Sequence, residues 1–490
     1  MGVSTMGLGG VGIAENYPEV SKDTMLSKLD VLKDSFTTNF NPDIKERIDR
    51  IKRIQSLVEE NIDSFHKALQ SDFGTRHEQL SLLSDTMPVI NNAKDALKHI
   101  HNWVKPEKRK PNFPLGLLGG KAYVQYQPYG VVGIISPWNF PLTLSLAPLI
   151  EVFAAGNNAM MKLSEFVPAT SELTEELVNK FFNEKEVVVI NGGPKTSQDF
   201  AGLPFDHLLF TGSTNVARKV AAEAAVNLVP MTLELGGKSP VIVGPNAKLK
   251  KSVDKIMMGK LLNAGQICIS PDYTFVHEKS ENNFVEHARE FVQKNYPTIK
   301  NNPDYTSIIH LNHYERLKSL VDDARDKGAK IIEINPANED LSQQEYHKMV
   351  PTIILNPTDD MKVMKEEIFG PILPVKTYSN FKDTIQYVNK NPKALALYYF
   401  GDDKREMEEI LNNTSSGQVA INEVLFQFSM HDLPFGGVGP SGMGSYHGHD
   451  GFKNFSHKRA VLKGQNLIDA GALVSAPFNE STEKNIKRLS

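Results

Sequence analysis

Between residues 130 and 225 short apolar runs alternate with amphipathic helices, and this alternation constrains the fold more than any other feature of the chain. "GVVGIISP" reads as a buried strand closed by proline, and "LSLAPLIEVFAAG" as a helix ending at Gly156. "NAMMKLS" is strand-like, "PATSELTEELVNKFF" is an amphipathic helix, "VVVING" and "HLLFTGS" are further strands, and "TNVARKVAAEAA" is again a helix. Continuously apolar strands are covered on both faces. A βαβα order of such strands calls for a parallel sheet with helices on both sides. A second series starts near 235, with "SPVIVG", the helix "VDKIMMGKLLNAG", "YTFVHEK", a long helix over 280–295 and "LALYYFG" near 395. Two α/β domains are therefore expected, which suits 490 residues, too many for one compact core.

The flanks read differently. Ile44, Ile48, Ile51, Ile54 and Leu57 recur at spacings of three and four, so the N-terminal part is helical. "LSLLSDTMPVINNAKDALKHIHNWV" has the same pattern, with an interruption expected at Pro88. "KPEKRKPNFPLGLLGG" is a break. "KAYVQYQPYG" alternates like a strand that leaves the domain as an arm, "KNFSHKRAVLK" reads as a final strand, and the last residues read as a loose tail.

Composition excludes several classes. Hydrophobic residues make up 40% and charged residues 23%, an ordinary globular balance. A net charge of −4 offers no basic footprint for nucleic acid. No apolar stretch approaches the length of a membrane span. The N-terminus lacks the basic region and apolar core of a signal peptide, and Met6 stands where a myristoylation signal requires Ser or Thr. The lone cysteine cannot form an internal disulfide, and the expected location is the cytoplasm. "GLGGVG" (7–12) and "GVGPSG" (437–442) match a dinucleotide fingerprint but lack its strand–helix setting. "HGH" (447–449) reads as a surface loop, and no metal site is expected.

Six stretches stand out for their chemistry or backbone. In "FTGSTNVARKVA" a buried strand runs through Thr211-Gly212-Ser213 into a helix, whose N-terminus favours an anion. "SPWNFP" places the amide of Asn139 between two aromatics at a strand end, where it needs a partner and can donate to an oxyanion. "LELGGKSP" sets Glu234 among apolar residues, which makes it either a hydrogen-bonded carboxylate or a general base of raised pKa. "GQICIS" holds Cys268, either a small buried hydrophobe or a nucleophile. "EEIFGP" adds an acid beside an aromatic, and "LPFGGVGPSGMG" reads as a closely packed glycine-rich loop.

In this order the motifs resemble the aldehyde dehydrogenase family: Pro137-Trp138-Asn139-Phe140-Pro141, Lys162 and Glu165 in "KLSE", "FTGS", "LELGGKSP", "GQIC", "EEIFGP" and "PFGG". "PFDHLLFTGST" and "TLELGGKSPVIV" resemble its class-3-like branch, with coniferyl-aldehyde dehydrogenase-like proteins nearest. Leu163 and Ala217 depart from the usual proline and glycine. The resemblance implies an α/β fold with a Rossmann-like NAD-binding domain (1–120 and 131–234) and an α/β catalytic domain (235–420). It also implies a strand arm for oligomerisation (121–130 with 421–465) and a tail at 466–490.

It further implies Cys268 as nucleophile, Glu234 as base and Asn139 as oxyanion donor together with the Cys268 N–H. Pro137, Trp138, Lys162, Glu165, Gly212, Ser213, Val216, Glu367 and Phe369 would line the NAD site, with NADP as a second cofactor. Phe140, Ile267, Ile269, Phe426 and Phe428 suggest an apolar funnel for an aromatic or medium-chain aldehyde. The implied assembly is a homodimer, with a tetramer as the alternative. A CoA-acylating enzyme and a non-catalytic relative on the same fold remain competing readings.

Overall fold

The computed structural model describes residues 17–113, 115–117, 119–465, 471 and 475–489. "GLGGVG" (7–12) and part of the tail lie outside the described residues. Two parallel-rich sheets and one antiparallel ribbon carry the chain.

The first sheet has six strands, in the order Gly442–Met443, Met231–Glu234, His207–Thr211, Val131–Ile135, Asn158–Lys162 and Val187–Ile190. All neighbours are parallel except Gly442–Met443, which pairs antiparallel to Met231–Glu234. The apolar runs become strands because both faces are covered: every residue of Val131–Ile135, Asn158–Lys162 and His207–Thr211 is buried. Strand order reverses at Val131–Ile135, which lies between Asn158–Lys162 and His207–Thr211. The carboxyl ends at Ser136, Leu163 and Gly212 therefore open on one crevice, where ligands of such sheets bind. Gly156 ends the helix Thr143–Ala155 at φ 92°, the left-handed cap expected from the sequence.

The second sheet has seven strands, Lys330–Glu333, Thr352–Leu355, Ile372–Tyr378, Tyr273–His277, Pro240–Val243, Ala396–Phe400 and Gln418–Ile421. Only its edge strand Lys330–Glu333 runs antiparallel. One hydrophobic core contains residues of both large sheets, among them Val132 and Ile134 of the first and Val241 and Val243 of the second. In the ribbon, Lys121–Pro128 pairs with Ser456–Lys463 along eight residues.

Two local readings are refined. Pro88 does not end the helical run 78–103, but the run departs from α geometry just before it: a π-helical turn, Leu82–Thr86, joins Glu78–Ser81 to Met87–Trp103. The carbonyl of Ser84, four residues before the proline that has no N–H to offer it, accepts instead from Thr143 Oγ1 at 2.7 Å. "HGH" is not a surface loop. His447 is buried and stacks on Phe435, while His449 stacks on Trp103. Aromatic partners around these rings explain why two polar residues leave the surface.

Candidate active site

The strand Val131–Ile135 delivers Asn139 into the crevice in a non-helical turn before Thr143–Ala155. Asn139 is buried, and its Nδ2 donates to the Gln266 carbonyl at 3.2 Å. Gln266 lies two residues before Cys268, so this bond joins the first sheet's loop to the cysteine loop of the second. The cysteine loop is rigid for identifiable reasons. Asn263, Ala264 and Gly265 all take left-handed φ (50°, 51° and 75°). At Gly265 a Cβ would come within 2.4 Å of the Gly370 carbonyl, so only glycine fits. The Gln266 side chain donates to Asn263 O and Ser307 O and accepts from Ile309 N. Cys268 itself is half-buried and packs against the main core cluster.

Glu234 ends the strand Met231–Glu234 and is 1% exposed. Neither of its carboxyl oxygens has a hydrogen-bond partner. Burial pushes its pKa well above the usual carboxylate range, and the buried Glu151 adds to the rise. Burial, Glu367 and Glu234 together push the Cys268 thiol up to about 12. Glu367 is itself raised to about 8, by burial and by Asp272. The thiol is therefore neutral at neutral pH and must lose its proton before it can attack. Glu367→Gln removes one carboxylate that raises the thiol. Iodoacetamide should then alkylate Cys268 faster than in the unaltered protein at pH 9, where Glu367 is otherwise charged. An unchanged or slower rate would rule out this coupling.

The segment 366–369 faces the cysteine loop and is fixed through its backbone. Arg316 donates to Glu367 O and Ile368 O, Asp272 Oδ2 accepts from Ile368 N, and His313 Nε2 donates to Phe369 O at 2.8 Å. Burial holds His313 neutral, with its pKa lowered to about 3, which is why it can serve as a single N–H donor. These bonds hold Phe369 at φ 53°, a conformation a bulky residue adopts only when its surroundings impose it. The Phe369 ring meets Trp138 edge-on at 5.4 Å.

The other crevice residues fit a dinucleotide. Lys162 is buried at a strand end, and its Nζ donates to Leu163 O and to Glu165 at 3.2 Å. Ser213 caps the helix Thr214–Ala225, with Gly212 before it and Val216 half-exposed on its first turn. The hydroxyls of Ser136 and Thr211, buried at neighbouring strand ends, lack partners. An open helix N-terminus, an exposed apolar residue and unpartnered hydroxyls together suit phosphate, adenine and ribose groups. Leu163 and Ala217 are both buried in core clusters, which gives their departure a packing reason.

Four of the five candidate funnel residues, Phe140, Ile267, Ile269 and Phe428, belong to or pack against the core cluster that Cys268 also packs against. Phe140 is half-buried, Ile267 and Ile269 lie in the core, Phe426 is 53% exposed, and Phe428 packs on Phe435 and His447. "GVGPSG" does not face a helix start of its own. Gly442 pairs with Glu234, and a Cβ there would meet Leu233 O at 2.4 Å. Sequence reasoning missed Arg76, Asp85, Glu151 and Tyr446, all buried, and the half-buried His313. None lies in a spacing pattern. Arg76 lies in the short loop between the helices Ile62–Phe73 and Glu78–Ser81, and nothing local marks it out among the many charges of this region.

A dinucleotide-type sheet whose Asn139 turn is bonded to the loop of a lone thiol fits one class, a nicotinamide-dependent oxidoreductase. Residues 16–461 match the aldehyde dehydrogenase family, and the chain belongs to it. It is an enzyme that oxidises an aldehyde to a carboxylic acid with NAD or NADP as hydride acceptor. The chain is 53% identical over 423 residues to a Caulobacter vibrioides protein named "Probable coniferyl aldehyde dehydrogenase", covering 86% of this chain and 87% of that one. It is 44% identical to a coniferyl aldehyde dehydrogenase of a Pseudomonas species, over 95% and 96% of the two chains. The substrate-bound structure of Staphylococcus aureus AldH superposes with a TM-score of 0.88 at 35% identity, covering 95% and 99%. Among the described residues no helix is long and apolar enough to cross a membrane, and no three His, Cys, Asp or Glu side chains cluster as metal ligands.

Proposed function

We propose that this enzyme oxidises an aromatic aldehyde of the coniferyl type through a thioester on Cys268. The observation that carries the mechanism is Glu234, a buried carboxyl with both oxygens unpartnered and its pKa raised by burial. Such a group is poised to take a proton from the water that attacks the thioester, and it can also help deprotonate the thiol.

The thiolate adds to the aldehyde carbon, and the carbonyl oxygen becomes an oxyanion. Asn139 Nδ2 carries two N–H groups and uses one on Gln266 O. The other, with the Cys268 backbone N–H, stabilises that oxygen. Bound NAD(P) supplies the hydride acceptor. When the hydride leaves the carbon, the oxygen re-forms its double bond and an acyl-cysteine remains. Glu234 then removes a proton from water, which attacks the thioester and frees the acid and the thiol. The same base argues against transfer to CoA, which needs no activated water.

Pro137, Trp138, Lys162, Glu165, Gly212, Ser213, Val216, Glu367 and Phe369 form the cofactor site in this reading. Residues 1–120 with 131–234 and residues 235–420 act as its two domains. The strand Ser456–Lys463, paired on one side only among the described residues, supports assembly as a homodimer. The composition supports a cytoplasmic location. The identity to coniferyl aldehyde dehydrogenases supports the substrate class. A panel of aromatic and aliphatic aldehydes, assayed with and without CoA, tests it. A clear preference for short aliphatic aldehydes, or a dependence on CoA, would refute it.

Glu165 sets cofactor choice. Its side chain would accept from ribose hydroxyls and repel a 2′-phosphate in a partly desolvated site. Glu165→Gln should raise kcat/KM for NADP relative to NAD. A ratio that does not move would remove this role.

A further inference from the structure

Arg76 belongs to no motif, yet it is completely buried and aimed at the residue on which acylation depends. Its guanidinium donates to the backbone carbonyl of Asn139 at 2.8 Å. It also donates to Ser84 Oγ at 3.1 Å and pairs with Asp85, which is equally buried. The other oxygen of Asp85 accepts from Leu142 N at 3.1 Å. The pair thus grips the turn 139–142 at both ends, by a carbonyl and by an amide. The guanidinium also lies over the rings of Phe73 and Phe140, at 4.6 and 5.2 Å. Asp85 is supplied by the π-helical turn Leu82–Thr86, and Thr143 ties that turn to the following helix through Ser84 O and Asp85 O.

We propose that Arg76 and Asp85 are positioning residues for the oxyanion. They act through the backbone of Asn139 and set where its side-chain amide meets the substrate oxygen. The carbonyls of Phe140 and Leu142 are held by Leu144 N and Leu146 N of the following helix, at 2.9 and 2.8 Å, whereas the Asn139 carbonyl is held by side chains. Without Arg76 the Asn139 carbonyl keeps only Asn263 Nδ2, at a long 3.4 Å. Burying an ion pair costs desolvation free energy, and apolar residues would stabilise such a site as well or better. What an apolar pair cannot do is bond a carbonyl and an amide three residues apart. Misplacing a catalytic group by about 1 Å costs on the order of 10²-fold in rate.

This inference rests on the reading of Asn139 as oxyanion donor, and the test separates the two. Arg76→Lys keeps the charge and loses the planar fork. Asp85→Asn keeps one acceptor. The rate of the first-turnover NADH burst is measured for each, alone and combined with Asn139→Ala, alongside NAD affinity and the melting temperature. Arg76→Lys should slow the burst roughly 10–100-fold, with NAD affinity retained. In the Asn139→Ala background the same change should cost less than about threefold, because residues acting through one another are not additive. A merely structural role would slow both backgrounds equally, and that result overturns the proposal, as does an unchanged burst. If Arg76→Lys does not fold, Asp85→Asn carries the same comparison. If Asn139→Ala keeps a full burst rate, the oxyanion reading itself fails. If Asn139→Ala is slow and the Arg76 and Asp85 variants are not, the positioning role alone fails.

Discussion

A Glu234→Gln enzyme is expected to release up to one NADH per active site and then stop. Hydride departs before water attacks, so the base for water is needed only in the second half of the reaction. The glutamine fills the same buried space but cannot take a proton. Hydroxylamine or a small thiol, which need no general base, should restart turnover. Because burial raises the pKa of Glu234, its proton-accepting form grows as pH rises through that raised value. Hydrolysis should therefore quicken with pH in the unaltered enzyme and lose that limb in Glu234→Gln. Cys268→Ala removes the only sulfur nucleophile and should abolish NADH formation while NAD still binds. Stopped-flow absorbance, with mass spectrometry of the Cys268 peptide, reads both variants. A Glu234→Gln enzyme without burst or adduct would mean that Glu234 is already required to deprotonate the thiol. A Cys268→Ala enzyme that still oxidises aldehyde would remove the covalent route.

Asn139→Ala is expected to raise the barrier to acylation by about 2.7–4 kcal/mol, roughly 10²–10³-fold, the usual cost of one oxyanion donor. The structure allows this loss to be read as catalytic. Asn139 Nδ2 donates to Gln266 O, but Asn263 Nδ2 donates to the same carbonyl at 3.2 Å. The cysteine loop therefore keeps a bond when Asn139 is truncated, and aldehyde affinity should change far less than the burst rate. Near-normal turnover in Asn139→Ala would make the residue structural.

What was legible in the sequence is what local pattern controls. Val131–Ile135, Asn158–Lys162 and His207–Thr211 are strands because their apolar runs tolerate burial on both faces, and Gly156 ends its helix because it adopts a left-handed cap. The motif residues Asn139, Glu234 and Cys268 stand out because a polar amide, an acid or a lone thiol amid apolar neighbours demands an explanation. Pro88 marked a real irregularity, a π-helical turn at Leu82–Thr86, but not an end, because the helical run continues through it to Trp103. His447 misled because "HGH" carries no sign of the rings that bury it.

The sequence by itself determined the two series of apolar strands and the strand–turn–helix crevice, and it singled out Asn139, Glu234 and Cys268 as candidates, since each of these signals depends on residues adjacent in the chain. Only the tertiary structure decided that Glu234 has no hydrogen-bond partner, that its neighbour Glu151 is a second buried acid, and that Arg76 reaches Asn139. The physical reason is distance along the chain. Desolvation and hydrogen bonding depend on what packs around a group, and here those partners lie 63 to 127 residues apart.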